Sequence, residues 1–474
     1  MSRFVRREPG SAPPPRLHLV LDPFRASLCL LTIITISRVH QHFPLLARLR
    51  PALLLFGVAA VYALLNPRVT GVHNLLRTWP AKVVVALGVW ACISAPFGIS
   101  LGASGRFILE DFASVWLYAM ALFLAIRCAR ELYTFIWAFV ASTAVLVWLS
   151  LFVFGVSISH GGGVDVARLG TLYSYDGNDL GCMLLVGLAL TLLVFQASRG
   201  KTRLASGVLL VGIGVALART GSRGAFLGFI GAAGMLLWSL KGVSVLKRAG
   251  FVALVMGALI VAAPSGYWQQ MGTVLEPTDD YNWSVYYGRK QLFARGVGYM
   301  LEYPIFGLGI NNFGRAEGTM TERAKEAWRL GPGERVRWAP PHNSFIQAGA
   351  ELGFPGLVLW SSLMIGGIVG MIRLRRRLPP AWLLGDPEER LLYLATLYLP
   401  VALAGFAIGA FFLSLAYYDV VYLLAALVSG VYVSVDDKVR RLRASVVVEP
   451  GDNPAGSQSL ADAHWRRSTQ GRRP

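Results

Sequence analysis

The sequence predicts an all-α, polytopic membrane protein with about twelve transmembrane helices and one large, partly helical outer loop. Of its 474 residues, 55% are hydrophobic and only 15% are charged, whereas roughly 25% of the residues in a soluble domain are charged. Apolar runs repeatedly reach or approach the length of about 20 residues that crosses a bilayer as a helix. Residues 264–341 interrupt this pattern with nine Lys/Arg and eight Asp/Glu. A single soluble core is therefore excluded.

Twelve apolar runs account for the predicted spans. They divide the chain into a cytoplasmic N-terminal tail (1–22), nine helices (23–263), an outer loop domain (264–354), three further helices (355–435) and a disordered cytoplasmic tail (436–474). The individual spans are predicted near 23–38, 52–66, 81–97, 110–127, 131–157, 180–198, 203–218, 224–240, 248–263, 355–372, 391–415 and 417–435.

The distribution of Lys and Arg orients these spans. With both termini in the cytoplasm, basic residues concentrate in the inner segments, as the positive-inside rule requires. Most of the net charge of +19 is then explained by topology, without a nucleic-acid partner. The cluster Arg373 to Arg377 is interpreted as a stop signal at a helix end. Arg38, Arg48 and Arg50 would lie outside against the rule, so the topology of the first two spans stays open.

The outer loop holds residues suited to chemistry. Apolar side chains at helical spacing predict an amphipathic helix over 284–303, near the membrane surface. Arg289 and Arg295 lie on this helix, but about 120° apart around its axis, so the two need not share a site. The segment 304–309, with sequence PIFGLG, follows as a turn whose two glycines permit positive φ or close approach to a ligand.

A histidine follows the rigid pair Pro340-Pro341 and precedes Asn343-Ser344. His342 is therefore predicted to lie at the start of a helix. The partial positive charge of a helix N-terminus tends to lower the pKa of a nearby imidazole. A neutral imidazole can act as a general base.

Two arginines, Arg219 and Arg223, lie between the seventh and eighth predicted spans on the same outer side. Because arginine is costly in hydrocarbon, each is expected to face a polar cavity, a partner or an anionic ligand. A side chain that reaches back to the interface would also satisfy the pattern. Arg223, Arg289 and His342 share one side of the membrane, which favours a common site.

Three motifs, taken together, resemble the O-antigen ligase and polymerase superfamily of bacterial envelopes. The first is TGSRG at 220–224. The second is Gly288-Arg289, followed by PIFGLG at 304–309. The third is HNSF at 342–345, followed by ELGFPG at 351–356. The resemblance covers roughly residues 215–372, and the order and sidedness of the motifs also match.

The resemblance implies a metal-independent, inverting glycosyltransferase at the periplasmic face of the bacterial inner membrane. Its donor would be a glycan on an undecaprenyl diphosphate carrier, and its acceptor a saccharide or a lipid A-core. Arg223 and Arg289 would hold the diphosphate, and His342 would act on the acceptor hydroxyl. Arg219, Arg295 and Asn343 are further candidates for substrate binding. No metal and no cofactor are expected, and the oligomeric state stays open.

Two alternatives to an O-antigen ligase stay open. The first is an O-antigen or exopolysaccharide polymerase of the same superfamily, because ligase and polymerase share the motifs. The second, from another class, is a transporter of a lipid-linked glycan or an anion. A transporter should carry its ionisable residues near the membrane midplane on broken helices.

Aromatic residues of the outer loop could serve as interfacial anchors or as sugar-stacking surfaces. The residues are Trp268, Trp283, Tyr286, Tyr287 and Trp338. Anchoring is the commoner role for aromatic residues at this depth.

Overall fold

The structure confirms an all-α, polytopic architecture. The computed structural model describes residues 17–447 except for 73–74, 162–163, 170–174, 275–284, 331–335 and most of 241–262. Within the described residues, eight helices are long and apolar enough to cross a membrane. These are Trp79–Phe97, Leu101–Ala125, Ala129–Val153, Gly177–Ala197, Gly200–Thr220, Ser344–Arg377, Pro387–Ala410 and Asp419–Ala444.

Three shorter apolar helices, Pro23–Ser37, Pro51–Leu65 and Arg223–Ser239, coincide with three more of the predicted spans. Their 15 to 17 residues fall below the length that crosses a bilayer without tilt or thinning. The ninth predicted span, 248–263, lies mostly outside the described residues.

The helices are numbered along the chain. The first ten are α1 (Pro23–Ser37), α2 (Pro44–Arg48), α3 (Pro51–Leu65), α4 (Trp79–Ser94), α5 (Leu101–Phe107), α6 (Ala113–Ala125), α7 (Ala129–Trp148), α8 (Gly177–Ala197), α9 (Gly200–Thr220) and α10 (Arg223–Ser239). The others are α11 (Tyr267–Gly272), α12 (Arg289–Glu302), α13 (Phe313–Thr319), α14 (Glu322–Leu330), α15 (Ser344–Ser361), α16 (Gly367–Arg377), α17 (Pro387–Ala410) and α18 (Asp419–Val447).

Helices α8 and α17 form the centre of the bundle. Of the apolar stretch of each helix, 72% is buried in α8 and 78% in α17, against 22% in α9. A Cβ placed on Gly228 of α10 would lie 2.8 Å from the carbonyl oxygen of Gly405 in α17, so only a glycine allows the two backbones to approach this closely. Helix α9, with only 22% of its apolar stretch buried, instead turns most of its surface away from the bundle.

A β-hairpin interrupts the helical pattern between α7 and α8. Strand β1 (Val156–Gly161) pairs antiparallel with β2 (Val164–Leu169). The fifth span was predicted to continue to residue 157, but a π-helical turn, Leu149–Val153, ends the helix. The following sequence, VSISHG, alternates apolar and small polar residues, which is the period of a strand.

The helix that carries the third motif begins before the predicted tenth span. It starts at Ser344 and continues to Arg377 with a break at Gly353, whose φ of 70° and ψ of −174° are outside the helical region. The N–H of Phe354 donates to the carbonyl oxygen of Pro304 at 2.8 Å. The glycine-rich turn predicted at 304–309 therefore docks on this break.

The last helix also extends past the prediction, which began the cytoplasmic tail at residue 436. Helix α18 continues to Val447. Its final turns carry charges with partners: Lys438 pairs with Asp386, and Arg441 lies 2.9 Å from Glu388. Both acidic residues belong to the start of α17, so tertiary ion pairs hold the polar extension in a helix.

We predict that Gly353→Ala destabilises the protein. A Cβ at this position would lie 2.1 Å from the carbonyl oxygen of Ile305, and alanine is strained at this positive φ. The expected loss in unfolding free energy is at least about 1–3 kcal/mol, measured by thermal or denaturant unfolding in detergent. Gly214→Ala in α9 is the matched control, because its Cβ would meet nothing within 4 Å. Equal stability of the two variants would contradict the close packing of Gly353 against the 304–309 turn.

Candidate active site

The turn between α17 and α18, residues Phe411–Tyr418, positions His342. The backbone N–H of His342 donates to the Ser414 hydroxyl at 2.9 Å. His342 has a φ of 48°, a left-handed conformation that is uncommon for residues other than glycine. Ser344 fastens the same turn, because its hydroxyl donates to the carbonyl oxygen of Leu413 at 2.7 Å. His342, which precedes α15, is thus held by a turn from a different part of the chain.

The same turn lies beside both arginines of the first two motifs. The guanidinium carbon of Arg289 lies 5.9 Å from the centroid of the Phe412 ring. A Cβ on Gly224 would lie 3.5 Å from the Phe412 Cβ, so the start of α10 packs against this residue. Arg223 is the first residue of α10 and donates to the Thr273 hydroxyl at 2.7 Å. Phe412 therefore brings Arg289 and the Arg223 segment to one place.

A third arginine, Arg168 of β2, approaches this place from the hairpin. A Cβ on Gly177 would lie 2.9 Å from a terminal nitrogen of Arg168 and 2.9 Å from the carbonyl oxygen of Thr220. The guanidinium thus lies between the start of α8 and the TGSRG motif. Burial lowers the pKa of Arg168, and the positive charge of Arg223 acts in the same direction, while Asp176 opposes both.

Asp176 caps α8 and faces the same region. Its carboxylate accepts from the backbone N–H groups of Asn178 and Asp179 at 2.7 and 2.9 Å. The neighbouring Tyr175 is connected to the 411–418 turn through Arg38, whose guanidinium carbon lies 4.7 Å from the Tyr175 ring and 5.4 Å from the Tyr418 ring. Two aromatic rings thus flank Arg38, one of the arginines whose predicted outer position disagrees with the positive-inside rule.

The imidazole of His342 is neutral at neutral pH. Burial, assisted by the positive charges of Arg289 and Arg337, lowers its pKa to about 4, and Asp176 opposes this shift. We predicted a lowered pKa from the helix N-terminus, whereas burial and the two guanidinium groups are the causes here. The Arg168, Asp176, Arg223, Arg289, Arg337 and His342 side chains therefore form one electrostatically connected cluster, named below the outer cluster.

The other three predicted site residues have structural partners. Arg219 donates to the carbonyl oxygen of Leu151 at 3.1 Å. Arg295 binds both oxygens of the buried Glu317 carboxylate, at 2.7 to 2.9 Å. Asn343 caps α15: its side-chain oxygen accepts from two backbone N–H groups, and its amide nitrogen is buried without a hydrogen-bond partner in the described structure. None of these contacts reaches the His342 imidazole.

Three members of the outer cluster were not among the predicted site residues. Arg168 and Asp176 precede the first motif and Arg337 lies between the second and the third, and no local pattern marks the two arginines. Asp176 had a signal, because Asp176 and Asp179 have the spacing of a capping box. Such a box marks a helix start but says nothing about a catalytic neighbour.

The comparison with known families covers this region. Residues 207–361 match the family model described as O-antigen ligase. The match contains Arg223, Arg289 and His342, and it confirms the resemblance noted in the sequence. None of the curated proteins compared with the chain matches it.

We predict that the His342 imidazole titrates near pH 4, well below the ordinary value of about 6.5 for histidine. Arg289→Gln should move this midpoint upward, because one of the charges that oppose protonation is removed. Histidine-selective ¹³C NMR of the protein in detergent measures both, and His342→Gln assigns the signal among the seven histidines. A midpoint near 6.5 in the unsubstituted protein would refute the buried, cation-flanked setting.

Proposed function

We propose that the protein is a metal-independent, inverting glycosyltransferase of the O-antigen ligase type. In this proposal it transfers a glycan from undecaprenyl diphosphate to a saccharide or lipid A-core acceptor at the periplasmic face of the bacterial inner membrane. The observation that supports this most directly is the outer cluster itself. It combines an imidazole that is unprotonated at neutral pH with several guanidinium groups, and most of its members lie in the segment that matches the ligase family model.

The arginines suit the donor. Loss of the glycan leaves negative charge on the carrier diphosphate, so groups that bind this charge favour departure of the carrier. Planar guanidinium groups stay protonated and bind phosphate oxygens in pairs of hydrogen bonds. In our proposal Arg223 and Arg289 bind the diphosphate directly, and Arg168 adds a third guanidinium from the hairpin.

The histidine suits the acceptor. His342 would remove the proton of the acceptor hydroxyl while its oxygen attacks the anomeric carbon. The bond from that carbon to the carrier oxygen breaks on the opposite face, and its electron pair goes to the diphosphate, so the anomeric configuration inverts. A base of this kind typically contributes about 10²–10⁴-fold. The remainder comes from orientation and charge stabilisation.

Donor and base are coupled through charge. Arg289 and Arg337 oppose protonation of His342. A bound diphosphate would neutralise part of this positive charge and raise the imidazole pKa towards the ordinary range, where a base accepts a proton more readily. Donor binding would thus prepare the base before the acceptor hydroxyl is attacked.

The remaining predicted residues keep proposed roles. The unpartnered amide nitrogen of Asn343 could donate a hydrogen bond to a substrate oxygen. Arg219, in the last turn of α9, would contribute positive potential near the carrier. We propose that Arg295 acts indirectly, because its pairing with Glu317 fixes the helix whose first residue is Arg289.

The location of the outer cluster favours an enzyme over a transporter. Arg223 and Arg289 are the first residues of their helices, and His342 lies just before α15. A transporter of a glycan or anion would be expected to hold its charges near the midplane on broken helices. The choice between ligase and polymerase depends on the acceptor, and product size in a reconstituted reaction decides it.

Replacing the base should abolish most of the activity. We expect His342→Ala to lower kcat by about 10²–10⁴-fold in a metal-free assay with purified protein, lipid-linked glycan and acceptor. His18→Ala is the control, because His18 is exposed and lies before the first helix. Wild-type turnover by the alanine variant at 342 would rule out the assigned mechanism.

Arg168 should contribute to donor binding. We expect Arg168→Gln to raise the KM for the lipid-linked donor by roughly tenfold, the loss of one hydrogen-bonded charge contact of about 1.4 kcal/mol. The acceptor KM should change little. Arg203→Gln is the matched control. Arg203 lies over Phe195 near the start of α9, whereas Arg168 approaches the other end of this helix, at Thr220. An unchanged donor KM would exclude Arg168 from the donor site.

A further inference from the structure

An exposed tryptophan lies four residues before His342. Trp338 is 51% exposed. A Cβ on Gly318 of α13 would lie 2.3 to 2.7 Å from three atoms of its five-membered ring. The N–H side of the indole therefore lies against the glycine, where any larger residue would displace it. The rest of this half-exposed ring presents an apolar surface to the solvent.

Three arginines lie beside this ring or beside Tyr287, which contacts the residue before Trp338. The guanidinium carbon of Arg315 lies 5.4 Å from the Trp338 ring. Arg337 is exposed, and its backbone N–H donates to the Tyr287 hydroxyl at 3.3 Å. Arg323 lies over Tyr287 at 5.6 Å. We name Arg315, Arg323, Arg337 and Trp338, with Tyr287, the Trp338 surface.

The arginines of the Trp338 surface differ from the basic residues around them in their ion pairing. Within the described parts of the chain, Arg315, Arg323 and Arg337 form no ion pair. By contrast, Arg295 nearby is paired with Glu317, and Lys325 with Glu322. Positive charges that are gathered around an aromatic ring without carboxylate partners are complementary to an anionic ligand.

The Trp338 surface is continuous with the outer cluster. Tyr287 immediately precedes Gly288-Arg289, and Arg337 is close enough to His342 to oppose protonation of its imidazole. A ligand on Trp338 would therefore extend towards the base from the side of the loop. The donor arginines Arg168 and Arg223 lie on other elements, the hairpin and α10.

We propose that the Trp338 surface is an acceptor subsite for a saccharide that carries a phosphate or carboxylate group. This inference rests on the proposed glycosyl transfer, because it assigns the second substrate of that reaction. A sugar ring packs its C–H face on the indole, and the anionic group binds Arg315 and Arg337 through charge-assisted hydrogen bonds. The acceptor hydroxyl beyond this ring then reaches His342.

The first test measures binding rather than transfer. Purified full-length protein in zwitterionic nanodiscs is titrated by calorimetry with maltotriose, its 6-phosphate ester and trigalacturonate. The two anionic probes distinguish phosphate from carboxylate. We expect at least one of them to bind about tenfold more tightly than neutral maltotriose, a difference of about 1.4 kcal/mol. Equal affinities for all three would overturn the proposal.

Variants then assign the binding to the Trp338 surface. Trp338→Ala should weaken all three probes, and Arg315→Gln should remove the preference for charge while neutral maltotriose binds as before. Gly318→Ala should resemble Trp338→Ala, because it displaces the indole without removing it. Trp238→Ala is the matched control, since this tryptophan is 52% exposed but lies near the far end of α10. An unchanged charge preference in Arg315→Gln would contradict the assignment.

Two controls distinguish an acceptor subsite from a membrane anchor and from a failure of the proposed transfer. His342→Ala should retain probe binding while transfer is lost. If the unsubstituted protein binds the probes through Trp338 but transfers no glycan to any acceptor, the proposed function is refuted and the subsite stands. If the probes do not bind, but Trp338→Ala and Arg315→Gln weaken adsorption to anionic-lipid vesicles, the surface is a membrane anchor and the proposal is wrong.

Discussion

The contact between the start of α15 and the 411–418 turn is the constraint on which the outer cluster depends. Hydrogen bonds connect these two segments through the side chains of Ser344, Gln347 and Ser414. They hold His342 in a left-handed conformation that its own helix would not impose. The same turn supplies Phe412, against which the Arg289 and Arg223 segments pack. One short connection between two buried helices therefore aligns residues that lie far apart in the chain.

Burial and charge work together in this arrangement. Guanidinium groups from separate elements face a partly buried imidazole, and each opposes the proton that bulk water would otherwise place on it. Such an arrangement costs stability by itself, because like charges are brought together beside a partly buried group. Functional sites often store strain of this kind, and a ligand of opposite charge relieves it.

Much of the fold could be predicted from sequence because membrane helices are encoded locally, by the length of apolar runs and the position of Lys and Arg. The motifs around Arg223, Arg289 and His342 could also be recognised, because each is a short, contiguous stretch of sequence. The partners of Arg295 and the approach of Arg168 could not, since Glu317 and Gly177 meet them only through tertiary packing. The hairpin was also missed, because the apolar run predicted as the fifth span reaches residue 157, within the first strand.

The exposed side of α9 has a consequence for how a lipid substrate would arrive. Leu204, Val208 and Val211 project outward along this helix, which ends at Thr220, three residues before Arg223. If the proposed function holds, a carrier with a long polyprenyl chain diffuses laterally in the leaflet, with its tail against these apolar side chains and its headgroup at the level of the arginines. The search for the enzyme is then two-dimensional, and the rate of encounter depends on carrier density in the leaflet rather than on any concentration in water.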